Sequence, residues 1–362
     1  MVLPRKHLLK VDSYQAGKPI EEIKRQLRLK DVIKLASNEN PLGPSPKALE
    51  AVRKALSSLN RYPDSNSYFL KRKLAKFYGL EPSNISVGNG SDELIDIIIR
   101  AFVDEGECII TSEAAFLEYK IMSSLNCRPL ITVPLKYFKF DLDEIKKRIT
   151  QKTKVVFIAN PNNPTGTYVT KYELEEFLKG IPEGVLVVLD EAYDAFIDVD
   201  DFPKSLNYIK RKNVLVLKTC SKSYGLAGLR LGYCLGSPEL ISYLERARQP
   251  FNVNSLAQVA AIAALDDKKF LARTKALIAD GKSFLYKNLA QMGIPYVASV
   301  ANFILIDTGR DGFVLFKEML KFGVIVRDMR QYGLKNFIRV SIGTKKENIR
   351  FIKVLKKVIR FR

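Results

Sequence analysis

Val185-Leu186-Val187-Val188-Leu189-Asp190-Glu191-Ala192-Tyr193 runs five apolar residues straight into a carboxylate. The run is too short for a helix and rich in β-branched residues, so it reads as a strand buried on both faces. Working outward, the same texture recurs at Ile85-Ser86-Val87, Cys108-Ile109-Ile110, Val155-Val156-Phe157-Ile158 and Val214-Leu215-Val216-Leu217, with amphipathic segments between them. Short buried strands alternating with amphipathic helices specify an α/β fold, a mostly parallel sheet covered by helices on both faces. After about residue 265 the texture changes. A long helical pattern over 270–292 leads to an apolar run at 303–306, a helical stretch around 313–322, runs at 324–326 and 337–342, and a final helix. This second part reads as a smaller α/β domain. The expected divisions are 1–40 as an N-terminal arm and part of the small domain, 41–265 as the large domain, and 266–362 as the small C-terminal domain. The stretch Pro41-Leu42-Gly43-Pro44-Ser45-Pro46 is too proline-rich to be regular.

Composition narrows the function. A chain of 362 residues exceeds one ordinary core, and 47% apolar with 27% charged residues excludes wholesale disorder. No apolar stretch approaches the roughly 20 residues that span a bilayer. The start, Met1 to His7, carries basic residues with no long apolar core behind them, unlike a signal peptide. Cys108, Cys127, Cys220 and Cys234 form no CxxC pair, which argues against a zinc site or disulfide scaffold and leads to the expectation of a reducing cytoplasm. His7 is the only histidine, so a Ser-His-Asp triad and a histidine-based metal site are both excluded. Proton transfer must fall to Lys, Tyr, Asp or Glu.

The formal net charge of +20 suits nucleic acid, an anionic membrane surface or anionic small molecules. The basic residues are spread along the chain, with a mild concentration over 345–362. There Thr344 and Glu347 fit a capping box, and Ile349, Ile352, Leu355 and Ile359 make one apolar face. The basic side chains then form the solvated face of a docked helix, and no nucleic-acid, membrane or metal partner is expected.

Ligands of open parallel sheets sit at the carboxyl ends of the strands. Four strand ends here carry unusual polar residues. Gly88-Asn89-Gly90-Ser91-Asp92-Glu93 opens an apolar helix, and its glycines let helix N-terminal amides approach an anion. An ordinary glycine-capped turn satisfies the same pattern. Asn160-Pro161-Asn162-Asn163-Pro164-Thr165-Gly166 is a turn of a common kind. Asp190 is costly to bury unless something cationic meets it, whether a structural Lys or Arg or a ligand. Lys222, between Ser221 and Ser223 with Arg230 eight residues on, suggests an amine held beside an anion site, able to form an imine with a carbonyl compound. Asn163, Asp190 and Lys222 follow one another at three strand ends, as residues of one crevice would.

Together, Asn-Pro-Asn-Asn-Pro-Thr-Gly (160–166), Asp-Glu-Ala-Tyr (190–193) and Ser221-Lys222 with Leu226-Ala227-Gly228-Leu229-Arg230 resemble the aspartate-aminotransferase-like, fold type I enzymes that use pyridoxal 5′-phosphate. Within them, Leu35-Ala36-Ser37-Asn38-Glu39-Asn40-Pro41-Leu42-Gly43-Pro44-Ser45-Pro46, preceded by Tyr14-Gln15-Ala16-Gly17-Lys18-Pro19-Ile20, is similar to the class II histidinol-phosphate aminotransferase family. The resemblance runs from about residue 14 to Thr344. Ala16 departs from it, standing where many relatives have proline.

The resemblance implies a role for each matching position. Lys222 would bond to the cofactor aldehyde, yield to the substrate amine and shuttle the proton between the substrate carbon and C4′. Asp190 would keep the pyridine nitrogen protonated. Asn163 and Tyr193 would hydrogen-bond the ring 3-oxygen, and Phe116 would stack on the ring where part of the family has tyrosine. The cofactor phosphate would rest on the backbone of Gly90, Ser91 and Asp92, with Ser221 and Arg230. Tyr62, in Asn60-Arg61-Tyr62-Pro63, would reach that phosphate from the partner subunit of a homodimer with shared active sites. Tyr14, Asn163, Arg327 and Arg339 match substrate positions, and a guanidinium grips carboxylate or phosphate in two-pronged fashion. Asn38, Glu39 and Asn40 would lie near the site, with no contact assigned to them. The implied activity is amino transfer between L-histidinol phosphate and 2-oxoglutarate, giving imidazole-acetol phosphate and L-glutamate, in histidine biosynthesis. The alternatives are an aromatic amino acid aminotransferase, a threonine-phosphate decarboxylase and, outside enzymology, a basic nucleic-acid-binding protein.

Overall fold

A computed structural model of the chain describes residues 2–5, 7–8 and 19–359. Its strands, in chain order, are β1 (Ile33–Lys34), β2 (Ile85–Gly88), β3 (Cys108–Ser112), β4 (Leu130–Val133), β5 (Thr153–Ala159), β6 (Leu186–Asp190), β7 (Val214–Thr219), β8 (Gly232–Gly236), β9 (Tyr296–Val297), β10 (Phe303–Asp307), β11 (Val324–Ile325), β12 (Arg327–Asp328) and β13 (Phe337–Ser341). The large sheet has the order β2-β8-β7-β6-β5-β3-β4. From β7 to β4 all neighbours run parallel. β8 lies antiparallel to both β2 and β7, so the sheet is mostly parallel, as the fold class expected. β8 is hard to see in sequence because it begins and ends in glycine, and β4 because as an edge strand it is only partly buried.

β5, β6 and β7 are buried almost throughout. Each Val, Ile or Leu so enclosed contributes about 1.5–3 kcal/mol relative to exposure, which is why apolar runs uninterrupted by polar residues specify central strands. The helix Ser91–Phe102 packs on β2, β8, β7 and β5 and against the helices Leu117–Leu125 and Pro238–Ala247.

A second core surrounds the antiparallel sheet β12-β13-β10-β9. It also takes in Ile23, Val32, Leu35 and Ala36 from the start of the chain, where β1 pairs in parallel with β11. Tyr193 and Phe196, just past β6, belong to this second core. The segment after β6 therefore links both cores.

Two local expectations change. Pro46 is not the end of an irregular run but the first residue of the helix Pro46–Ala55, with the Ser45 hydroxyl capping Ala48 N at 3.3 Å. The final helix, Lys345–Ile359, starts at the capping box, where Thr344 N donates to Glu347 Oε2 at 2.7 Å and Glu347 N to Thr344 Oγ1 at 3.3 Å. Its buried face, however, is Asn348, Phe351, Ile352, Leu355 and Val358, while Ile349 is 46% exposed. Phe351 pulls the stripe round because it fills the core at the i, i+4, i+7 positions. Among the described residues no helix is long and apolar enough to cross a membrane.

Candidate active site

The carboxyl ends of β5, β6 and β7 and the helix following β2 meet at a cavity of about 210 Å³. Asp190, Asn163 and Lys222 all line it, as do Ser91, Asp92, Ser221 and Arg230. Phe116, Tyr193, Arg327 and Arg339 complete the set brought together from the sequence candidates. Tyr62 lies elsewhere, 84% exposed, its ring stacked on Phe251 at 4.9 Å between centroids. Tyr14 lies outside the described residues.

One end of the cavity is shaped for an anion. Gly90 caps the helix Ser91–Phe102 with φ 87°, and a Cβ there would come 2.6 Å from Arg230 Nη2. At Gly232 a Cβ would stand 2.4 Å from Ser91 N, so only glycine lets β8 pass this close to the helix N-terminus. Arg230, itself left-handed at φ 55°, donates from Nη2 to Asp92 Oδ2 at 2.6 Å and from Nη1 to Ala227 O at 3.2 Å. Helix-terminal amides and a guanidinium at one spot make a phosphate-sized cradle.

Asp190 ends β6 with 4% exposure. No lysine or arginine among the described residues pairs with it; Tyr119 Oη donates to its Oδ2 at 2.7 Å and Ala192 N to its Oδ1 at 3.3 Å. Burial pushes its pKa up to about 6, against the lowering effect of the Tyr119 hydrogen bond. The structural ion pair is thus excluded among the described residues, and the carboxylate is held by neutral donors alone. Tyr119 is a residue the sequence reading left without a role. It stacks on Phe157 at 4.7 Å and holds Asp190 from below.

Lys222 Nζ donates to Ser37 O at 3.4 Å and lies 5.8 Å from the centre of the Tyr193 ring. Burial first, then the positive charge of Arg339, brings its pKa down to about 8. The Tyr193 hydroxyl accepts from Asn38 Nδ2 at 3.0 Å, and Asn38 is anchored in turn by Ser341, whose Oγ donates to Asn38 Oδ1 at 3.0 Å. Having accepted from Asn38, the phenol keeps its own proton to donate. Asn38 was assigned no contact from sequence, and its place follows only from β13 lying beside residues 35–38.

Arg339 is 6% exposed; it donates from Nη2 to Ala36 O at 2.9 Å and from Nη1 to Asn163 Oδ1. Its Nε has no partner among the described residues. Arg327, on the neighbouring strand β12, donates to Gln331 Oε1 at 3.0 Å. Glu118 and Tyr332 also line the cavity and were not singled out from sequence.

Behind the cavity wall a buried ion cluster joins β7 to the segment after β6. Lys218 Nζ donates to Glu191 Oε2 at 2.7 Å and to Asp194 Oδ2, and Ser205 Oγ donates to Glu191 Oε1. Glu191 adjoins Asp190 and Asp194 adjoins Tyr193, so this cluster fixes the backbone that presents both.

The comparisons with known proteins fit this site. Residues 30–355 match the family described as aminotransferase class I and II. A histidinol-phosphate aminotransferase of Moorella thermoacetica is 44% identical over 98% of this chain and 92% of its own length. The crystal structure of histidinol-phosphate aminotransferase from Sinorhizobium meliloti in complex with pyridoxal-5′-phosphate superposes with a TM-score of 0.92 at 29% identity, covering 99% of this chain and 98% of that one. Thermus thermophilus aspartate aminotransferase with maleate superposes at 0.85 with 21% identity, over 99% and 100% of the two chains, a likeness of fold.

Proposed function

The chain belongs to the aminotransferase class I and II family, with the aspartate-aminotransferase-like fold type I, and from that premise we propose that it transfers the amino group between L-histidinol phosphate and 2-oxoglutarate. The products are imidazole-acetol phosphate and L-glutamate, and the setting is histidine biosynthesis. The observation that carries this reading is one cavity lined by Lys222, Asp190, Arg327 and Arg339 together: an amine of lowered basicity, a carboxylate lacking a protein cation, and two guanidinium groups.

Pyridoxal phosphate fits the residues present. The Gly90–Gly232 cradle with Arg230 suits its phosphate, and Asp190 lacks the cation that a protonated ring nitrogen supplies. When bound, that cofactor supplies an aldehyde for the amine and a ring that takes up electrons from the substrate carbon. Asp190 would keep the ring nitrogen protonated, and Tyr119 and Ala192 N hold Asp190. Phe116 covers the ring face. Tyr193, oriented by Asn38, would offer its hydroxyl proton to the ring 3-oxygen, and Asn163, whose carbonyl accepts from Arg339, would support the same oxygen. Lys222 would hold the cofactor through its aldehyde, and its Nζ would be the group able to take up and return a proton at the substrate carbon. Arg339 is the shared anchor for the carboxylate of glutamate and the phosphate of histidinol phosphate, and Arg327 adds a phosphate contact. Tyr14 belongs to the same substrate end. Tyr62 reaches the cofactor phosphate of a second subunit, so the working unit is a homodimer.

The test is direct. Purified protein with pyridoxal phosphate should change its cofactor absorbance on addition of histidinol phosphate and revert with 2-oxoglutarate. Borohydride should fix the cofactor on Lys222, and Lys222→Ala should abolish transfer. Label recovered from any other lysine, or a kcat/KM favouring phenylalanine over histidinol phosphate, would overturn the assignment.

A further inference from the structure

Asn38 is 1% exposed, and its main chain and side chain are both fully engaged. Its N donates to Ser341 Oγ at 2.8 Å, and its O accepts from Asn302 Nδ2 at 3.0 Å. The side-chain amide is divided between Ser341 on one side and Tyr193 on the other. Its φ of 54° lies in the left-handed region, which asparagine tolerates better than most side chains. Ser341 ends β13 two residues beyond Arg339, so the two share a face of that strand, yet Ser341 is not part of the cavity lining. A main-chain N–H can only donate, and this sets the sense of every bond that follows. Ser341 Oγ accepts from Asn38 N and sends its own proton to Asn38 Oδ1. The amide nitrogen is thereby turned to Tyr193, whose hydroxyl accepts. The phenol proton has no acceptor among the described residues and is left to the cavity. A reversed amide would set Oδ1 against the phenol and draw that proton away.

We propose that Ser341 and Asn38 are positioning residues that set the polarity of the Tyr193 hydroxyl, holding it as a hydrogen-bond donor to the ring 3-oxygen of pyridoxal phosphate. The inference rests on the cofactor reading above. A donor at that oxygen stabilises its negative charge. It therefore lowers the pH at which bound cofactor releases the proton shared between this oxygen and the nitrogen of Lys222. Ser341 does this at one remove, from behind the cavity wall. The Tyr193 ring is itself held edge-on against Phe303, at 5.0 Å between centroids, so the hydroxyl is fixed in place and only its proton has a choice of direction. Aspartate at position 38 would have the same shape and the opposite effect, since both of its oxygens accept. Arg339, Asp190 and Asp92 also act on Tyr193, and Lys222 Nζ lies 5.8 Å from its ring centre. Their charges are the same whichever way the amide faces.

The experiment follows the visible absorbance of holoenzyme through a pH titration in wild type, Asn38→Asp, Tyr193→Phe and the double variant. The new carboxylate raises the titration midpoint by its charge in both backgrounds, whereas reversal of the phenol adds to the rise only where the hydroxyl is present. The rise should therefore be larger by about one unit or more in wild type than in the Tyr193→Phe background. Equal rises in the two backgrounds overturn the proposal. Ser341→Ala changes no charge and frees the amide to turn; it runs through the same cycle and stands in if Asn38→Asp fails to load cofactor. Its midpoint should rise by about half a unit or more, and the rise should vanish in the Tyr193→Phe background. An unshifted Ser341→Ala midpoint overturns the proposal, as does Ser341→Thr, which restores the hydroxyl, behaving like the alanine variant. Wild type that takes up no pyridoxal phosphate would sink the cofactor reading and this inference with it, whereas a loaded wild type with unresponsive variants sinks the inference alone.

Discussion

Asp190 pays for its chemistry in stability. Its pKa is raised to about 6 by burial, against an ordinary value of about 3.9. Between those values the folded chain binds more protons than the unfolded one, so the stability of cofactor-free protein falls as pH rises through this window, and the cost is complete above it. Asp190→Asn removes that cost. The cofactor-free variant should therefore melt above wild type at pH 8 and lose its lead below about pH 4, while holoenzyme turnover drops by about 100-fold or more. Calorimetry at the two pH values, with a transfer assay, reads both outcomes; equal melting points at pH 8 would contradict the account. Residues like Asp190 and Lys222 are legible in sequence because a charge after an apolar strand demands an explanation wherever the chain goes. Asn38 and Tyr119 are not, since an asparagine in a loop and a tyrosine on a helix acquire meaning only when Ser341 and Asp190 arrive beside them.

Among the elements, β6 ends in Asp190 and β7 leads on to Lys222, and the Lys218–Glu191–Asp194 cluster ties the ends of these strands together. The Lys218 side chain is 8% exposed and that of Glu191 is 4% exposed. Removing one partner of such a buried group strands the others, at a cost of about 3–5 kcal/mol. Lys218→Met should accordingly lower the unfolding free energy read from urea titration by that amount, whereas Lys218→Arg should recover much of it. A methionine variant as stable as wild type would show that the cluster does not hold the strand ends. The central strands were readable because both of their faces are buried, leaving no polar alternation to confuse the pattern. β8 was not, because its glycines answer to the neighbouring Ser91 backbone and not to strand propensity.

At the scale of the whole molecule, the net charge of +20 suits a protein whose substrates and cofactor are all anions, since a positive field raises their local concentration. The Tyr62–Phe251 stack is exposed, and Tyr62 is the residue proposed to complete the site of a second subunit. Tyr62→Phe should weaken cofactor affinity by about 1.5–3 kcal/mol, one hydrogen bond to a charged group, as read by equilibrium dialysis. Sedimentation at assay concentration should show a dimer, and a fully active monomer would refute the shared site. The order of the large sheet also sets a timetable. β2, which leads into the Gly88-Asn89-Gly90-Ser91 turn, has β8 as its one neighbour in the sheet, and all of β3 to β7 is synthesised between them. A growing chain thus makes β2 early and leaves it unpaired until Gly232–Gly236 has emerged. Lys222 leaves the ribosome before Arg230 and β8 do, so a nascent chain owns the amine before it owns the phosphate cradle. The close approach of Gly232 to the Ser91 amide is therefore one of the last contacts of the large sheet to form.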